Sequence, residues 1–173
     1  MGAVWETTHP EGIPVVSVVG TSDCGKTTLL EKLLREAKQR GWRVATVKHD
    51  VHGFDMDKPG KDTWRHAQAG ADMVVISSPV RIAILEKVDG DQALDDVLAR
   101  IHGVDLIFTE GYKRGDKPKI EVYRSVLGRE LLCEPEELLA IASDVQFDNG
   151  VPCYGLDDAA GLCDLIAQKF DLG

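Results

Sequence analysis

Val15-Val16-Ser17-Val18-Val19-Gly20-Thr21-Ser22-Asp23-Cys24-Gly25-Lys26-Thr27 is the stretch whose reading decides the fold. Its first five residues are a short β-branched run, the pattern of a strand buried on both faces. Its last eight match G-x-x-x-x-G-K-[ST] in full, and each fixed position has a physical reason. Glycines let backbone N–H groups turn inward around phosphate oxygens with no Cβ in the way. The N-terminus of the following helix adds unpaired N–H groups and partial positive charge. Lys26 supplies a point charge for the β- and γ-phosphates, and the Thr27 hydroxyl a ligand for Mg²⁺. The expected binding loop is therefore Gly20, Thr21, Ser22, Asp23, Cys24, Gly25, Lys26 and Thr27, with Thr28 next. Cys24 reads as a filler position of the loop.

Outward from the loop, the hydrophobic period changes. Leu29, Leu30, Leu33, Leu34 and Ala37 recur at helical spacing until Gly41. A second strand is expected over Trp42 to Val47, helices over 62–69 and 92–101, and strands at 73–76, 82–85, 106–109, 120–123 and 138–142. A closing helix is expected over 157–170. Alternating strands and helices predict an α/β domain of P-loop NTPase fold. Its mainly parallel sheet is flanked by helices, with room for an edge β-hairpin extension. Arg81 to Glu86, apolar between charged ends, suits dimer pairing. Residues 1–12 are expected as a flexible lead-in containing the turn His9-Pro10-Glu11-Gly12, and 13–173 as the nucleotide-binding domain.

A length of 173 residues suits one domain, and a net charge of −9 argues against nucleic-acid and anionic-membrane partners. No apolar run reaches the roughly 20 residues a spanning helix needs. Met1 to Glu11 lacks the basic start and apolar run of a leader. Four scattered cysteines without a C-x-x-C pair fit reduced thiols in the cytoplasm.

Magnesium at such a loop also needs a carboxylate. Asp105-Leu106-Ile107-Phe108-Thr109-Glu110-Gly111 offers one at each end, roughly 16 Å apart at strand rise. Ligands sit at the carboxyl ends of parallel strands, so Glu110 is the expected metal-side or water-side acid. The polar stretch 49–61 leaves the second strand and reads as a switch-like loop ordering around Mg²⁺ and γ-phosphate. Asp55 and Asp57 there are candidates for positioning water or metal. Lys58 and Lys61 are candidates for meeting phosphate or a second anion. His49 and His52 lack a third ligand and make a weak metal pair. Lys113, Arg114, Lys117 and Lys119 read as a basic cluster, solvated by default and otherwise open to an anionic ligand.

The phosphate loop together with Lys48-His49 and Phe54-Asp55-Met56-Asp57-Lys58-Pro59-Gly60-Lys61-Asp62 closely resembles the molybdopterin-guanine dinucleotide biosynthesis protein B family. Thr109-Glu110-Gly111-Tyr112-Lys113 and Ala142-Ser143-Asp144 resemble it as well, so the likeness spans about 14–170. One departure is Gly53, where the family pattern leads one to expect a histidine beside His52. The resemblance implies a small GTP-binding homodimer with weak GTPase activity. It would assist the guanylyltransferase that attaches GMP to the molybdenum cofactor, with molybdopterin as a further candidate ligand. By the same resemblance Gly25, Lys26 and Thr27 carry triphosphate and Mg²⁺, with Glu110 on the magnesium side. The usual guanine-reading N/T-K-x-D motif is absent after a late strand. Asp144 stands where a carboxylate could accept from guanine N1 and N2. From residues alone two other readings stay open: a P-loop kinase using ATP on a small metabolite, and a module that binds nucleotide without turnover.

Overall fold

The computed structural model describes residues 9–173, so the expectation for residues 1–8 lies outside the described residues. The chain divides into two compact units, 1–49 with 94–173 and the intervening 50–93, within the stretch expected as one domain.

The larger unit is built on six strands: β1 (Val15–Val19), β2 (Val44–Lys48), β5 (Leu106–Glu110), β6 (Lys119–Tyr123), β7 (Leu138–Ser143) and β8 (Cys153–Gly155). Their order is β2-β5-β1-β6-β7-β8, and every pairing is parallel. β8 was not expected; it is three residues long, between Pro152 and Leu156, too short to show a period. Helices α1 (Lys26–Gln39) and α4 (Ala159–Phe170) pack together over one face of the sheet. Leu29, Leu33 and Ala37 of α1 and Leu162, Cys163 and Ile166 of α4 join Val16, Val18, Phe108, Ile120, Val122 and Ala140 in the main core. The alternation of a strand's side chains sends the intervening residues to the opposite face. There Ile13, Val15, Val47 and Ile107 pack with Leu98 of the short helix α3 (Leu94–Leu98), and Val19, Cys133, Leu138 and Ile141 form a separate cluster.

Between these two clusters the sheet is polar. The Thr109 hydroxyl donates to Ser17 Oγ at 2.8 Å across β5 and β1. Lys119, buried, holds Glu137 at 2.6 Å. The buried Glu121 carboxylate accepts from the Leu132 and Cys133 N–H groups at 2.6 and 3.1 Å. Desolvation pushes the Glu121 carboxyl above its ordinary range, and burial pushes the Cys133 thiol up to about 12. His9 is also buried here. Its Nε2 sits 3.0 Å from Leu98 O and 2.8 Å from Ile101 O, and Gly12 N closes the expected turn onto His9 O. Within the lead-in, His9 is thus held by the backbone carbonyls of Leu98 and Ile101.

The smaller unit holds turns over 50–61, helix α2 (Asp62–Gln68), and strands β3 (Met73–Ser78) and β4 (Arg81–Glu86). β3 and β4 pair antiparallel from Met73↔Glu86 to Ser78↔Arg81 around a two-residue turn. They form a two-stranded sheet of their own and are not hydrogen-bonded to the six-stranded one, with α2 packed against β3. Only Val74 of this hairpin is buried; Met73, Val75, Ile76, Ile82 and Ile84 are exposed.

Candidate functional site

Parallel pairing brings the carboxyl ends of β1, β2, β5, β6 and β7 to one edge of the sheet, and the residues just beyond those ends make the site. β1 runs into Gly20, whose φ of +147° few side chains adopt. A Cβ there would lie 2.6 Å from Val122 O and 2.7 Å from Cys24 Sγ, so the loop rests directly on β6 and only glycine fits. Asp23 (φ +63°) and Gly25 (φ +101°) are left-handed on either side of Cys24. Such alternation turns successive N–H groups into one concavity that suits an anion. α1 opens at Lys26 with no side chain capping its N-terminus, which leaves its first-turn N–H groups for a ligand. Cys24 is fully buried, and desolvation raises its thiol pKa, so it packs the loop and offers no ready thiolate.

Lys26 Nζ donates to Thr21 O at 2.8 Å and Gly20 O at 3.2 Å, which holds the ammonium in the loop. Thr27 Oγ1 donates to Glu110 Oε1 at 2.8 Å, although the two residues are 83 positions apart. That spacing is a fit test for magnesium. Neighbouring oxygens around an octahedral ion with 2.0–2.1 Å bonds are about 2.9 Å apart. The Thr27 hydroxyl and the Glu110 carboxylate could therefore hold Mg²⁺ directly or through one of its waters. Asp105, the other candidate carboxylate, lies at the start of β5 and is paired with Arg43 at 2.9 Å.

Lys48 stands opposite Glu110 in the β2–β5 register, and His49 N–H donates to Glu110 O at 3.1 Å. The His49 ring stacks on Tyr112, centroids 4.7 Å apart. Gly111 lies beside this pair, and it is its left-handed φ of +101° that calls for glycine, since a Cβ there would meet His49 Cβ at an ordinary 3.4 Å. Asp144 follows β7, and its two carboxylate oxygens accept from Ser125 N–H at 2.8 Å and Ser125 Oγ at 3.1 Å. The bond from the Ser125 N–H chiefly holds the Asp144 carboxyl below its ordinary range.

One expectation changes. Lys117 and Lys119 are not solvated: both are buried, Lys117 on Asp95 (3.0 Å) and Asp116 (2.7 Å), Lys119 on Glu137. Only Lys113 and Arg114 of that cluster are exposed. Asp55, Asp57, Lys58 and Lys61 belong to the smaller unit and are described within it. Asp55 Oδ1 accepts from Asp57 N–H, Asp57 Oδ1 from Lys58 N–H, and Lys61 N–H bonds back to Lys58 O. These bonds shape the turn that leads into α2. Among the described residues no three His, Cys, Asp or Glu side chains gather as a metal site. Arg124 was not singled out from sequence. It follows β6, and its Nε donates to Cys24 O at 2.8 Å. A lone arginine after a strand carries no motif, so sequence offered no signal for it.

Residues 15–144 match the family described as Molybdopterin guanine dinucleotide synthesis protein B. A molybdopterin-guanine dinucleotide biosynthesis adapter protein of Escherichia coli is 35% identical over 166 residues, covering 90% of this chain and 93% of its own. The Haemophilus influenzae protein of the same name is 37% identical over 134 residues, 76% of this chain and 75% of its own. A crystal structure of molybdopterin-guanine biosynthesis protein B superposes with a TM-score of 0.68 at 30% identity, over 90% of this chain and 99% of that one.

Proposed function

The chain belongs to the molybdopterin guanine dinucleotide synthesis protein B family, and we propose on that footing that it is a GTP- and Mg²⁺-binding adapter in assembly of the guanine dinucleotide cofactor. The observation that carries the nucleotide part is the Thr27–Glu110 bond beside an uncapped, lysine-bearing phosphate loop. It supports a triphosphate in the loop, with Lys26 meeting the β- and γ-phosphates and Thr27 and Glu110 at the metal. Held by Thr27 and Glu110, a magnesium ion would supply positive charge against the phosphates. Asp55, Asp57, Lys58 and Lys61 are proposed to complete the phosphate side, and Asp144 to read guanine.

The proposed partners are the guanylyltransferase that transfers GMP, a molybdopterin ligand, and a second copy of the chain. The exposed apolar hairpin supports the homodimer, since isolated proteins rarely leave such a surface uncovered. No described helix is long and apolar enough to cross a membrane, and the cytoplasm is the proposed setting.

Titrating GTP and ATP into the Mg²⁺-loaded protein while following phosphate release tests the reading. Tight GTP binding with slow turnover is expected, and capture of the guanylyltransferase in a pull-down. Fast ATP consumption that requires a small acceptor would mean a kinase instead. Asp144→Ala should erase the GTP-over-ATP preference; an unchanged preference removes Asp144 from the guanine site.

A further inference from the structure

The planar trans peptide between Cys24 and Gly25 points its C=O and N–H to opposite sides. Whatever holds the carbonyl therefore aims the amide. Arg124 holds it: Nε donates to Cys24 O at 2.8 Å, and Nε and Nη2 both lie 3.3 Å from where a Gly25 Cβ would be. The Nε–Nη2 edge of the guanidinium thus lies against Gly25, one of the two glycines of the loop. Gly25 has two reasons to be glycine, its φ of +101° and this seat.

The arginine is itself fixed from behind. It caps the 3-10 turn Ser125–Leu127, and the Asp144 carboxylate grips Ser125, the next residue, through both its N–H and its hydroxyl. A continuous set of bonds therefore runs from the end of β7 through Ser125 and Arg124 to the middle of the phosphate loop. An ordinary surface arginine would keep its rotamers free; this one is half-buried and anchored at both ends.

We propose that Arg124 is a positioning residue of the phosphate loop, which turns the Gly25 N–H towards the bound phosphates by holding the Cys24 carbonyl on the opposite side. It rests on the nucleotide reading above. Arg124 acts through the backbone, so its effect falls on the phosphates and is indifferent to the base. Asp144 contributes to the same alignment through Ser125.

Calorimetric titration of the full chain with GTP, GDP and ATP in Mg²⁺ tests this, using wild type, Arg124→Ala, Arg124→Met, Arg124→Lys and Lys26→Ala. Loss of one charge-assisted bond corresponds to about a tenfold loss of affinity. Arg124→Ala and Arg124→Met should weaken all three nucleotides about tenfold alike, and Arg124→Lys, which keeps a cationic donor, should recover most of the loss. The melting temperature without nucleotide should follow neither pattern. If Arg124→Ala lowers the fold's stability, the Met and Lys variants decide, since they share an apolar stem and differ in the donor. Equal affinity of those two, or binding by Arg124→Ala within twofold of wild type while Lys26→Ala fails, overturns the role of Arg124 and leaves the nucleotide reading standing. No nucleotide binding by wild type, or binding by Lys26→Ala as tight as wild type, overturns both.

Discussion

β1 and β4 have similar apolar content and opposite fates. All five residues of β1 are buried, while Ile82 and Ile84 of β4 are 65% and 59% exposed. The difference lies in what each strand is given to pack on. β1 has a strand on each side and helices on one face, so its burial is complete within one chain. β4 has a single neighbour, β3, and an isolated hairpin is marginal in water. The larger unit carries its own stability. The smaller one presents apolar surface whose natural use is to be covered.

The sharpest way to break that contrast is to charge the hairpin. Ile82→Asp with Ile84→Asp should weaken the proposed dimer more than a hundredfold, about 3 kcal/mol for two apolar side chains left unburied. Nucleotide affinity should hold. Sedimentation velocity reads the first quantity, and an unshifted dimer would mean that other surfaces join the copies. The opposite substitution pattern probes the core unit. Glu137→Gln strips the counter-charge from buried Lys119 and should cost about 2 kcal/mol, less than a fully enclosed pair because Glu137 keeps one side in water. Lys119 draws the Glu137 carboxyl down, so this contribution is present at neutral pH and is lost as the pH falls through the carboxylate range. Urea unfolding at pH 7 and pH 4 checks both points; equal losses at the two values would contradict the pairing.

The smallest effect concerns Glu121. Burial raises its folded pKa, so the protonated form is favoured by folding. Its contribution is greatest below the unfolded pKa of about 4.3 and declines as pH rises through the folded value. Relative to Glu121→Gln, wild type should lose melting temperature across that window and run parallel above it. Parallel curves throughout would show that the carboxyl is not desolvated in solution.

The same contrast explains what sequence could reveal. Val15–Val19 and the glycine loop were legible because strand, turn and helix each leave a local period or a forced φ. Glu110 was legible because strand direction alone separates it from Asp105. Lys117 and Lys119 were not, because their acidic partners Asp95 and Glu137 lie 22 and 18 positions away, and a charged run reads as solvated until those partners are seen. Arg124 was hidden for the same reason, since its partner is a backbone carbonyl 100 positions distant. The helix expected over 92–101 shortened to Leu94–Leu98, and Ile101 instead ends in a turn whose carbonyl meets His9. The separate hairpin was legible as two strands but not as a separate sheet, because alternation says which residues pair and not which sheet receives them.

Lys26, finally, has carbonyl partners on Gly20 and Thr21 before any ligand arrives. A lysine that had to be gathered from solvent would surrender up to about 2 kcal/mol of rotamer freedom at the moment of binding. Here that ordering is completed when the chain folds. On the proposed function, ligand entry would be an exchange of acceptors, two neutral carbonyls giving way to anionic oxygens around a cation already held in the loop. The affinity of a preorganised loop of this kind should depend more on the charge of the arriving group than on the flexibility of the loop that receives it.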